Sequence, residues 1–172
     1  MIFLFAKTDI KKLTKNIPEL IGDRWMLISA GIRQKYNMMT ASWGMMGVLW
    51  GKPVAEIFIR PSRYTLNFVE QQDTFALCVF PEALKNSVHG VCGSKSGRDV
   101  DKQKETGLTP IVDQGTVYFE EAELVFICRK IYVDDIKPQN FIDADIEQKW
   151  YDNDHHRLFI GEIIDVLEKT VE

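Results

Sequence analysis

Apolar positions along this chain fall mostly in short runs bounded by Pro, Gly or charge, a pattern of strands rather than long helices. Arg24 to Ala30 (RWMLISA) predicts a strand, and Tyr36 to Val48 predicts a pair of short extended segments. Val54 to Arg60 follows Pro53 and is rich in β-branched and aromatic residues, so it predicts another. Thr74 to Phe80 (TFALCVF) is a continuous apolar run stopped by Pro81, as a buried strand would be. Within Val117 to Val133, the stretch LVFICRKIYV predicts a long strand, and Leu158 to Glu168 predicts a final one. Gly161 inside that last strand marks a bend or a close backbone approach.

Helical spacing is rarer. Ser62 to Gln72 predicts a helix after Pro61, with Ser62 as N-cap and Leu66, Phe68 and Val69 inward. Pro81 to Val91 repeats Leu84, Val88 and Val91 at helical spacing. Asp99 or Asp101 caps a short turn ending near Gly107, and a further turn lies between Asp143 and Tyr151. Many strands with few helices predict a closed β-barrel whose ends the helices fill.

Composition narrows the functional classes. The 172 residues suit one domain, 1–172, without repeats or a linker. A net charge of −4 argues against a general nucleic-acid binder, yet leaves room for a local basic pocket. No apolar run approaches the roughly 20 residues a bilayer span needs, and Met1 to Ala6 lacks the basic flank of a signal peptide. Cys78, Cys92 and Cys128 are odd in number and widely spaced, which fits thiols in a reducing cytoplasm rather than a disulfide framework or zinc site.

Four segments carry candidate chemistry. In Asn37-Met-Met-Thr40-Ala41-Ser42-Trp43, hydroxyls two residues apart share a face beside backbone donors, an edge suited to a planar ligand. The same segment also fits a polar strand end with Trp43 in the core. Arg60-Pro-Ser-Arg63-Tyr64-Thr65 gathers guanidinium and hydroxyl groups at a predicted helix start, where phosphate is favoured; solvated arginines at an ordinary cap are the other reading. Gly93 to Lys102 is a Gly/Ser stretch with three cations, either an anion cradle or a surface loop, and it lacks P-loop spacing. Asp154-His155-His156 gives no convincing metal spacing, and His89 reads as a surface or capping residue. No nucleophile elbow or Cys–His constellation points to hydrolysis.

Together these segments resemble the flavin reductase-like, FMN-binding split-barrel family, nearest its flavoredoxin-type branch. The residues that carry the resemblance are Asn37-x-x-Thr40-x-Ser42-Trp43, Arg60-Pro-x-Arg63-Tyr64-Thr65, Phe75-Ala-Leu-Cys-Val, and Cys92-Gly93-x-x-Ser96-Gly97 leading to Asp101-Lys102. Ile146-Glu-x-Lys149-Trp150-Tyr151 and His156-x-x-Phe159-Ile160-Gly161-Glu162-Ile163 continue it. The match runs from about residue 20 to 168, and the order of the motifs gives it weight that no single motif has.

The resemblance implies a six-stranded antiparallel Greek-key split barrel with a few flanking helices, a homodimer, and FMN near the subunit interface. It places Asn37, Thr40, Ala41, Ser42 and Trp43 along the isoalloxazine ring. Arg60, Arg63, Thr65, Ser94, Ser96 and Lys102 become candidates for the phosphate and ribityl chain, with Tyr64 and Gly97 completing the cofactor-binding set. His156 is expected near the ring or the partner subunit, and Trp43, Trp50, Tyr64 and Met residues as ring walls. The implied activity passes electrons from NAD(P)H through flavin to a small molecule, free flavin or redox protein, with no side-chain nucleophile. An FMN-bearing electron carrier without nicotinamide activity is the alternative.

Overall fold

The computed structural model describes residues 3–171. Ten strands dominate: β1 (Phe3–Thr8), β2 (Met26–Ile32), β3 (Lys35–Ala41), β4 (Gly44–Leu49), β5 (Lys52–Ile59), β6 (Thr74–Val79), β7 (Pro110–Asp113), β8 (Thr116–Phe119), β9 (Leu124–Asp135) and β10 (Arg157–Val171). Five short α-helices flank them: α1 (Ile17–Gly22), α2 (Thr65–Gln71), α3 (Glu82–Ser94), α4 (Lys102–Thr106) and α5 (Ala144–Trp150).

The main antiparallel sheet runs β3-β2-β6-β9-β10-β5-β4, with β1 added beside β10, and β7-β8 form a separate hairpin. It holds eight strands where the resemblance implied six. Strand β10 explains part of the difference. Its first half, Arg157 to Glu162, pairs with β5, while its second half, from Val166, pairs with β1. Register shifts against β9 at Ile160/Gly161 and Ile163/Asp165 bend it between the two. The expected full closure does not occur. The described residues place β3 and β4 at opposite ends of the strand order, and the link Ser42-Trp43 lines a cavity instead of closing a hairpin.

Strand β6 shows why TFALCV reads as continuously apolar. Phe75, Leu77 and Val79 enter one core with Ile28, Phe126 and Phe159. Ala76 and Cys78 point the other way, into a second core with Leu27, Phe119 and Val125 beneath α3. A strand covered on both faces has no polar face to show. Gly161 is a close approach, as expected: a Cβ there would lie 2.8 Å from both Cys128 Cβ and the Phe75 ring.

Several boundaries differ from expectation. Ser62 is not an N-cap; α2 starts at Thr65, and Ser62 instead donates its hydroxyl to Asp154 at 2.5 Å. Helix α3 runs on to Ser94, beyond Val91, with Val88 and Cys92 on its buried side. Of the two proposed caps, Asp101 starts α4, accepting from the Lys104 amide, and Gly107 ends it in the left-handed conformation. Asp143 caps α5 in the same way, accepting from Asp145 N. Strands β1 and β7 and helix α1 have no counterpart in the sequence reading; each is short, and its burial depends on distant partners.

No helix among the described residues is long and apolar enough to cross a membrane.

Candidate functional site

Every residue of the proposed cofactor-binding set lines one cavity of about 410 Å³. Four segments, distant in sequence, build it. Strand β3 and the link after it supply Asn37, Thr40, Ala41, Ser42 and Trp43. The end of β5 and the turn into α2 supply Arg60, Arg63, Tyr64 and Thr65. The end of α3, the following loop and the start of α4 supply Ser94, Ser96, Gly97 and Lys102, and His156 comes from just before β10. Met39, Phe58 and Cys92 also line it, all outside that set; Cys92 opens one of the motifs, while Met39 and Phe58 were not singled out. Trp50 does not line it: it sits in the β4–β5 turn at φ 51, 61% exposed.

The polar groups divide into those engaged by the protein and those free to meet a ligand. Asn37 is buried and donates its amide to Thr65 Oγ1 at 3.0 Å. That amide packs so closely on Gly97 that a Cβ there would lie 2.2 Å from Asn37 Oδ1, so the loop needs glycine at this point. Lys102 is buried, and its ammonium donates to Met38 O at 2.8 Å and Cys92 O at 3.2 Å. It therefore works first as a strut between β3 and the end of α3. Burial, with the nearby charge of Arg63, lowers its pKa below the ordinary lysine value.

The two arginines separate clearly. Arg60 donates to Trp150 O at 2.7 Å and Asp154 O at 3.3 Å, and its guanidinium lies 5.1 Å from the centre of the Tyr151 ring. With the Ser62–Asp154 contacts, it buckles the 150–156 segment against the cavity rim. Arg63 lines the same cavity, is exposed, and makes no side-chain hydrogen bond or ion pair within the described residues. Arg98 is spent in part on Ser62 O and on the Tyr64 face, and Lys95 is paired with Glu105. The first amides of α2 are also occupied, Leu66 N by Arg63 O and Asn67 N by Tyr64 O. The cation left open at the cavity is thus the Arg63 side chain, and the helix start offers fewer open amides than the sequence suggested.

An aromatic wall stands on the buckled segment. The Trp43 ring meets Trp150 edge-on at 5.1 Å and His156 at 5.4 Å. His156 is 7% exposed and shares a 2.8 Å hydrogen bond between its Nδ1 and the Tyr151 hydroxyl. Its neighbour His155 contacts Glu147 at 3.0 Å, so the two histidines serve different partners. His89 departs from expectation: it is not a surface residue but 4% exposed, with Nδ1 2.8 Å from Thr40 Oγ1.

Burial pushes His89 and His156 down to about 4 from the ordinary 6.5, aided by Lys85 for the first and Arg60 for the second. A folded pKa below the unfolded one means folding favours the neutral ring. That stability is complete above pH 6.5 and is lost as pH falls toward 4. Thermal unfolding followed across this window is expected to show a falling Tm, with a smaller fall in His156→Phe. Equal falls in the two proteins would show that His156 is not held neutral.

The cysteines are all free and buried. Burial pushes the Cys92 thiol, on the cavity wall, up to about 11, so it offers no thiolate at neutral pH.

Comparison with known proteins finds the same fold. A crystal structure of an FMN-binding domain of a flavin reductase-like enzyme from Shewanella baltica aligns with a TM-score of 0.68 at 20% identity, covering 96% of this chain and 77% of the other. Flavoredoxin of Desulfovibrio vulgaris aligns at 0.65 and 20% identity, covering 97% and 77%. An FMN-binding protein from Thermus thermophilus, solved with bound 1-cyclohex-2-enone, aligns at 0.65 and 21%, covering 94% and 80%. No curated protein matches the chain by sequence. The fold is thus the split barrel of flavin reductase-like proteins, in a mainly antiparallel β architecture. Residues 21–172 match the model of the flavin reductase like domain, and over that span the chain belongs to this family.

Proposed function

We propose that this chain is an FMN-binding flavoprotein that passes electrons from NAD(P)H to a small-molecule, free-flavin or protein acceptor. The observation that carries the reading is one cavity uniting an uncommitted guanidinium, Arg63, with hydroxyls and an aromatic wall. FMN needs these parts: a cation for its phosphate, polar groups for its ribityl chain, and a flat apolar surface for its ring. The cavity volume of about 410 Å³ lies in the range of small-molecule sites. The flavin-linked relatives support the same ligand.

In this reading Arg63 holds the phosphate, with Ser96, whose Oγ accepts from the Arg98 amide and keeps its proton to donate, beside it. Ser94 Oγ donates to Gly90 O at 2.5 Å, which leaves its lone pairs to accept from a ribityl hydroxyl. Thr40, Ala41, Ser42 and Trp43 flank the ring, and His156 with Trp150 closes the rim. Bound FMN supplies the redox chemistry. The chain's own work is to anchor, orient and shield it.

A homodimer completes the proposal. Met45, Val48, Leu49 and Trp50 are exposed on edge strand β4 and its turn, and Tyr132, whose ring lies 6.0 Å from that of Trp50, extends the patch with Val133. An apolar edge strand of this kind invites cover by a second copy. Three free, buried thiols support placing the protein in the cytoplasm.

The test is a titration of the purified protein with FMN, followed by anaerobic NADH or NADPH. Flavin bands that survive desalting and bleach with a nicotinamide are expected. Stable bands that do not bleach would make the protein an electron carrier docking on a redox partner. A protein that takes up no FMN would overturn the reading.

A further inference from the structure

A second groove lies against the first cavity, and the flavin reading leaves it unused. It holds about 580 Å³, within the range of small-molecule sites. The β2–β3 turn and the start of β3 supply Arg33, Lys35 and Tyr36, and the loop before α4 supplies Arg98. Arg33 and Lys35 are exposed and make no side-chain hydrogen bond or ion pair within the described residues. The carboxylates of Asp99 and Asp101 also line the groove, and that of Asp101 is committed to the Lys104 amide and ammonium. On a chain whose net charge is −4, open cations along one groove mark a local preference for an anion.

The position of the groove says which anion. The divide between the two spaces is made by residues that line both: Asn37, Tyr64, Gly97, Asp99 and Lys102. Gly97 keeps the divide low, because no side chain fits there against Asn37 Oδ1. Ser96 and Arg63, the groups assigned above to the flavin phosphate, are chain neighbours of Gly97 and Tyr64 on this divide. Trp43 and His156, the ring wall, line the first cavity only. The groove thus adjoins the phosphate end of the site and not the ring end. A ligand that fills both spaces continues from the flavin phosphate. It brings further negative charge to Arg33 and Lys35. It brings a planar base to Tyr36 and to the Arg98 guanidinium, itself held 4.7 Å from the Tyr64 ring centre. A nicotinamide coenzyme must instead deliver its reactive ring to the flavin ring, at the far end.

We propose that the groove is an adenylate subsite: the chain takes FAD as well as FMN, with the second phosphate and adenosine of FAD crossing Gly97 to lie along Arg33, Lys35 and Arg98. The proposal rests on the flavin reading above and names the flavin nucleotide that the chain prefers.

Fluorescence titrations with FMN and with FAD, on the unaltered protein and on the double variant Arg33→Ala/Lys35→Ala, test it. The unaltered protein is expected to bind FAD about tenfold more tightly than FMN, the size of one added charge-assisted contact. The double variant, altered only at exposed side chains, is expected to keep its Tm, to bind FMN within about twofold of the unaltered protein, and to lose the preference for FAD. FAD bound no more tightly than FMN by the unaltered protein, or a preference that survives in the variant, would overturn the proposal. A raised KM for NADH or NADPH in the variant, with the FAD-to-FMN ratio unchanged, would give the groove to the nicotinamide coenzyme and overturn it as well. Calorimetric titration with ADP separates this test from that of the flavin reading. If neither flavin binds, the flavin reading falls; ADP binding that the double variant loses would still uphold an adenylate subsite, and no ADP binding would overturn it.

Discussion

Arg63→Ala is expected to weaken FMN binding by roughly 30- to 150-fold while leaving riboflavin binding within about twofold, the size of a lost charge-assisted hydrogen bond pair to phosphate. The expectation comes from how the cations are already used. Lys102 gives its ammonium to Met38 O and Cys92 O, and Arg60 gives its guanidinium to Trp150 O and Asp154 O. Arg63 alone among these three lines the cavity without a side-chain hydrogen bond or ion pair in the described residues. Riboflavin lacks the phosphate, so it isolates that contact from general damage to the site. Arg60→Ala serves as the contrast. It unbuckles the 150–156 segment and should weaken both ligands together, with a change in tryptophan fluorescence from Trp43 and Trp150. Equal losses for FMN and riboflavin in Arg63→Ala would move the phosphate elsewhere in the cavity.

The largest stability effect is expected at Gly161. A methyl group there meets Cys128 Cβ and two atoms of the Phe75 ring at 2.8 Å, all in the core. None of these is the loose end of a flexible side chain, so relief requires the backbone of β10 or β9 to shift at its bulge. Overpacking of this kind costs about 3 kcal/mol, the upper part of its usual range. For a chain of this length that corresponds to a Tm lower by roughly 6–12 °C. Gly90→Ala is the control. A Cβ there meets nothing within 4 Å, so a residue with better helix propensity in α3 should leave Tm unchanged or raise it slightly. Comparable losses at the two positions would mean that the 2.8 Å contacts at Gly161 relax freely.

The resemblance in the sequence reached the split barrel and gathered the cavity residues before any contact was known, because short motifs keep their order along the chain. Local chemistry also marked some boundaries well. Asp101 and Gly107 bracket α4 through a side-chain acceptor and a left-handed residue, both properties of the residues themselves. Ser62 misled for a related reason. Its hydroxyl is a good cap in isolation, but Asp154 competes for it. His89 read as a surface residue because a lone polar residue on a helix carries no local mark of burial; its burial comes from Trp25, Phe80 and Thr40 on other elements.

By itself, then, the sequence determined a mainly β chain, the places where most strands begin and end, and a cluster of cations, hydroxyls and aromatics suited to a planar ligand with an anionic group. Those follow from periodicity, propensity and residue type, which act over a few positions. Only the tertiary structure decided that Arg60 is a buckle and Arg63 a free cation, that Trp50 faces outward, and that β6 is buried on both faces. Each of these depends on which distant group arrives first at a donor or a surface. Arg60 meets its partners some 90 residues further along the chain, and no local pattern encodes that meeting.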